Sequence, residues 1–97
     1  MDIYELIDKL NIKKRYTPDE RHVTFVFDSS DEFINYYEEI SSSNLIDDSK
    51  TSTILGENEM EAHLHTNDDN FILILIGDYA NDKYSLEITV KEGDSKW

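Results

Sequence analysis

The sequence predicts a small α+β domain in two layers, an antiparallel β-meander sheet packed against two short helices. Three observations carry that prediction. Apolar residues recur at helical spacing in two segments, Ile3-Leu6-Ile7-Leu10 and Phe33-Ile34-Tyr36-Tyr37-Ile40. Apolar and polar residues alternate, as on a half-buried strand, over residues 22–27, 60–65 and 84–90. Between the last two lies an unbroken apolar run, Phe71–Ile76, bounded by turn residues. The expected order is α–β–α–β–β–β–β.

In the first helix, from Asp2 to about Leu10, Asp2 and Glu5 suit an N-cap and its N3 partner, and Asn11 a C-terminal cap. A basic connection follows, Lys13 to Glu20, which Pro18 makes extended or turned. Val23, Phe25 and Phe27 form the inward face of a strand over 22–27. Ser29 with Glu32 forms a capping box for a second helix, from about Ser30 to Ser41, with Asp31, Glu32, Glu38 and Glu39 outside its apolar stripe.

Thr51–Leu55 reads as a short edge strand that could pair with a second copy of the chain, and residues 56–59 as a turn. Met60, Ala62 and Leu64 alternate with Glu61, His63 and His65. Phe71–Ile76 is expected to be a central strand covered on both faces, because it has no polar alternation. Residues 77–82 are expected to turn, Tyr84–Val90 to form the last strand, and the tail 92–97 to be loose. A single domain spanning 1–97 is expected. By size scaling it would leave roughly 5,800 Å² exposed of about 16,500 Å².

The chain has 22 acidic and 9 basic side chains, a formal charge of −13. Residues 1–21 hold five of each sign, and residues 22–97 hold four bases and seventeen acids, so the whole excess follows Arg21. That balance disfavours direct contact with nucleic acid or an anionic membrane and favours a basic protein partner. There is no cysteine, the N-terminus lacks the pattern of a signal peptide, and no apolar run approaches the ~20 residues of a membrane span. A cytoplasmic protein of a bacterial host cell is expected; abundant Ile with scarce Ala, Gly, Pro and Arg fits an AT-rich bacterial or phage genome.

No nucleophile elbow, glycine-rich phosphate loop or calcium loop is present, so no catalytic residue and no cofactor is assigned. His63 and His65 share one strand face and could begin a metal site with Asp68 or Asp69, but two ligands are too few to assign one. The candidate partner-binding residues are Asp31, Glu32, Glu38 and Glu39 on the second helix, with Glu57, Glu59, Asp68, Asp69, Asp78 and Asp82 in turns. Tyr79 joins them, as an aromatic beside carboxylates suits an arginine-bearing surface.

In size, charge and lack of catalytic motifs the chain is similar to small acidic inhibitors encoded by phages and bacteria. That likeness implies a non-catalytic inhibitor that blocks the nucleic-acid groove of a basic nuclease or defence effector, as an anti-CRISPR or anti-restriction DNA mimic does. An immunity protein or antitoxin against a cationic toxin, or a plain interaction module, are the alternatives.

Overall fold

The computed structural model describes residues 1–97. Its elements are α1 (Ile3–Leu10), β1 (Lys14–Asp19), β2 (His22–Phe27), α2 (Ser30–Ser41), a 3-10 turn (Asp48–Lys50), β3 (Ser52–Leu55), β4 (Glu59–His65), β5 (Phe71–Asp78) and β6 (Lys83–Val90). All six strands join one antiparallel sheet in the order β1-β2-β6-β5-β4-β3. The predicted α+β class is therefore correct, and the exposed area of 5858 Å² matches the size expectation.

Both helices start as their sequences dictate. The Asp2 carboxylate accepts from the Glu5 N–H at 2.9 Å, and Asn11 closes α1 in the left-handed conformation (φ 53°) that asparagine tolerates. At α2 the Ser29 hydroxyl accepts from the Glu32 N–H at 3.2 Å. The Glu32 carboxylate reaches back one residue further than a standard box, to the Asp28 N–H at 2.9 Å.

The helices lie on one face of the sheet. Phe33 and Ile40 of α2 and Ile3, Leu6 and Ile7 of α1 join the inward strand residues in one core of 19 buried apolar side chains. At about 25 cal/mol per Å² of apolar surface removed from water, this burial is the main stabilising contribution.

Four sequence expectations need correction. First, the basic connection is a strand: β1 pairs with β2 through Lys14, Arg15 and Tyr16, then slips register before Asp19. Every residue of β1 is exposed, so no apolar alternation betrays it, and an edge position tolerates Pro18 because one row of N–H groups faces solvent. The true order is α–β–β–α–β–β–β–β. Second, Phe71–Ile76 is covered on one face only. Phe71, Leu73 and Leu75 are buried, whereas Ile72 and Ile74 are half-buried and Ile76 is 39% exposed on the open face. Third, Gly77 and Asp78 belong to β5 and not to the turn after it.

Fourth, the tail is held down. The Ser95 N–H donates to the Glu20 carbonyl at 2.6 Å, the Lys96 N–H donates to the Tyr4 hydroxyl at 3.2 Å, and the Trp97 ring packs on Tyr4 with centroids 4.4 Å apart. Phe25 and Phe71 meet the same indole edge-on. Trp97→Ala is expected to lower unfolding free energy by about 1–2 kcal/mol, less than a fully buried tryptophan would cost, because the indole is half-buried. Urea unfolding of the variant checks this; an unchanged midpoint would show the tail to be dispensable.

Candidate functional site

Antiparallel register sorts the candidate residues into three places. Glu59 lies opposite Asp78, Asp78 opposite Lys83, and Phe27 opposite Tyr84, so the β3–β4 turn, the β5–β6 turn and the β2–α2 junction share one end of the sheet. The Tyr79 N–H donates to the Asn58 carbonyl at 2.8 Å, which ties the two turns together. Phe33 packs against Tyr79 and brings the first turn of α2 to the same end. Seven of the eleven candidates, Asp31, Glu32, Glu57, Glu59, Asp78, Tyr79 and Asp82, therefore meet there, and Asp28 joins them. Sequence reasoning missed Asp28; its position just ahead of the Ser29 cap was the available signal.

Asp68 and Asp69 lie at the opposite end, in the β4–β5 turn, and their chemistry is spent inside the molecule. Asp68 accepts from the Thr66 hydroxyl at 2.6 Å and the Asn70 N–H at 3.0 Å, which shapes the turn. Asp69 takes Lys91 at 2.8 Å and Lys50 at 3.4 Å. Glu38 and Glu39 fall in a third place, a shallow groove between the helices that Lys9, Leu10 and Tyr36 also line.

The carboxylates at the shared end differ in how far they are committed. Asp28 is paired with Lys14 at 2.6 Å, Asp78 accepts from the N–H and side-chain amide of Asn81, and Glu32 caps its helix. Asp82 takes a left-handed conformation (φ 54°) that closes the β5–β6 turn. The carboxylates of Asp31, Glu57 and Glu59 form no ion pair and accept no hydrogen bond within the molecule, so their charge is uncommitted. Across the chain, four of the 22 acidic side chains (Asp19, Asp28, Glu61 and Asp69) are in ion pairs.

Beside these acids, on the open face, is a groove of about 650 Å³. Val26 and Ile76 form its apolar floor, and Asp28, Asp78, Asp82 and Lys83 stand around it. Such a groove suits a long basic side chain, with methylenes on the floor and a cationic head among carboxylates. Tyr79 is 36% exposed and packs against Tyr84 with ring centroids 5.6 Å apart and planes tilted by 58°.

The histidine pair does not gather a third ligand. His63 Nε2 contacts Glu61 Oε1 at 2.7 Å, and no group of three His, Asp or Glu side chains stands close enough to hold a metal ion. Of the bases in the basic connection and Arg21, only Lys14 forms an ion pair. Lys14 takes Asp28 instead of Asp19 or Glu20, and Asp19 is held by His22 at 2.7 Å.

Hydrogen bonding depresses several carboxyls. Lys91, then Lys50, hold Asp69 below the ordinary value of 3.8; the Arg21 N–H, then His22, do so for Asp19. A folded-state value below the unfolded one gives stability that is present above pH 3.8 and lost as pH falls through the folded value. Asp69→Asn keeps the left-handed residue (φ 59°) acceptable and removes that contribution. Its melting temperature is expected below wild type at pH 7, the gap narrowing as pH falls below 3.8 and closing once the native carboxyl is protonated too. A gap that persists in acid would trace the effect to the turn and not to the charge.

No helix is long and apolar enough to cross a membrane. Compared with known protein families, curated proteins and solved structures, the chain matches none.

Proposed function

We propose that this chain is a non-catalytic acidic binding protein that docks the end formed by its β3–β4 and β5–β6 turns onto a basic, nucleic-acid-handling protein. There it occupies the groove where phosphates belong. The observation that carries this reading is what one end of the sheet holds together: the uncommitted acids Asp31, Glu57 and Glu59, a groove bordered by Asp28, Asp78 and Asp82, and the exposed ring of Tyr79. Duplex DNA presents about one negative charge per 1.7 Å of axis, and a basic cleft tuned to that density attracts a rigid carboxylate surface by the same forces. Turns anchored by sheet hydrogen bonds hold that surface without further ordering cost on binding. No step of bond making or breaking is assigned, since no two carboxylates share a buried cleft.

Immobilised protein is expected to capture a basic nucleic-acid-binding protein from a bacterial lysate at low salt and to release it at high salt. The charge contacts are screened over a Debye length of ~10 Å at 0.1 M salt. Added protein should displace labelled duplex from the captured protein. The triple variant Glu57→Lys, Glu59→Lys, Asp82→Asn should lose at least about a hundredfold in affinity, asparagine being used where the backbone is left-handed. Glu38→Lys with Glu39→Lys, in the helix groove, should bind as wild type. Capture that ignores salt, or a triple variant that binds unchanged, would overturn the reading.

A further inference from the structure

The two edges of the sheet are built to opposite rules. Edge strand β1 carries Lys14, Arg15 and Asp19, a proline and a register slip, the devices that stop an edge from recruiting another strand. Edge strand β3 has none of them. Its sequence, Ser52-Thr53-Ile54-Leu55, is uncharged, every residue is exposed, and Ile54 and Leu55 show 59% and 75% of their surface. We propose that β3 is a self-association edge, pairing antiparallel with β3 of a second copy about a two-fold axis through Ile54.

Backbone direction determines that register. The Gly56 N–H donates to the Glu59 carbonyl at 2.9 Å, so alternation along the strand turns the main-chain groups of Ile54 and Ser52 toward β4. Those of Thr53 and Leu55 therefore point outward, without a partner. A two-fold axis at Ile54 sets Thr53 against Leu55 of the other copy, twice over, and closes four N–H···O=C bonds. An axis at Thr53 would need the Thr51 N–H, which already donates to the Asp48 carbonyl at 3.3 Å.

The Ile54 axis also suits the side chains. The two Ile54 residues become a close, non-hydrogen-bonded pair on the open face, and Leu55 meets the Thr53 methyl on the helix face. At each end of the seam Thr51 of one copy opposes Glu57 of the other. The strand between those ends, Ser52 to Leu55, is neutral, so no like charges face each other along the seam itself. A four-residue seam buries far less than the ~1,200 Å² of standard interfaces, so the dimer is transient and forms at high protein concentration.

The chain has no cysteine, which makes single-cysteine reporters unambiguous. Under oxidation Ile54→Cys is expected to form a disulfide-linked dimer, because the facing Cα atoms would stand about 4.5 Å apart, within disulfide reach. Thr53→Cys, offset from its own copy, is expected to stay monomeric. Sedimentation equilibrium of the native chain should show the average mass rising above 11.4 kDa with concentration. Leu55→Pro removes only an outward donor and should stay at the monomer mass with wild-type circular dichroism.

Two molecules of −13 repel, so salt should strengthen the dimer. It should weaken docking onto a basic partner, and the opposite signs separate failure of this proposal from failure of the functional reading. Equal cross-linking of both cysteine variants, stronger cross-linking of Thr53→Cys, assemblies larger than two, or a native mass that stays monomeric would each overturn it.

Discussion

Phe33→Ala is expected to lower unfolding free energy by about 3–5 kcal/mol, the cost of emptying a fully buried aromatic site. Phe33 is 0% exposed and, with Ile40, is one of the two α2 residues buried in the core. Its ring packs on Phe27 at 6.2 Å, Tyr84 at 5.6 Å and Tyr79 at 6.4 Å, each an aromatic contact that adds to area burial. Strands β2, β5 and β6 beneath are tied by ladder hydrogen bonds, which limits how far the void can close. A domain of this size has about 5–15 kcal/mol in total, so the variant would be marginal at 37 °C. Chemical denaturation measures it, and a loss below about 1 kcal/mol would mean that α2 docks through Ile40 alone.

The second large effect comes from the other side of the same contact. Gly77 lies in β5 directly under that ring, and a Cβ placed on it would stand 2.7 Å from Phe33 Cε2 and 3.1 Å from Cζ. Gly77→Val should therefore cost about 2–3 kcal/mol by overpacking, although valine is the better strand former. Combining it with Phe33→Leu, which shortens the ring to a branched chain, should recover at least about 1 kcal/mol of that loss. Additive losses in this double-mutant cycle would show that the clash is relieved elsewhere. If Gly77 were a turn residue, as its neighbours in sequence imply, valine would act through backbone conformation and Phe33→Leu would rescue nothing.

The acidic end of the sheet illustrates how far local signals reach. Each turn at that end is legible alone, since Gly56, Asn58, Asp78 and Asn81 have turn chemistry. That the β3–β4 and β5–β6 turns adjoin, while the equally acidic Asp68–Asp69 turn lies at the far end, follows from meander connectivity: alternate turns fall at opposite ends. Which acids stay free required coordinates. Lys91 and Lys50 are 22 and 19 residues from the Asp69 they neutralise, and Lys14 is 14 residues from Asp28.

What the sequence determined by itself is local and periodic: both helices with their caps, the inward faces of β2, β4 and β6, and the α+β class. These depend on residues within a turn or a strand of one another, where spacing and side-chain chemistry act directly. Tertiary structure alone decided that an all-exposed basic segment becomes β1, that Ile72, Ile74 and Ile76 face no second layer, and that Trp97 anchors the tail. Each rests on a partner far away in the chain: β2 for the first, two short helices with area for a single face for the second, and the Tyr4–Phe25–Phe71 cluster for the third. Burial is a property of the assembled fold, and a polar strand at an edge or an apolar face left open breaks the pattern from which burial is read.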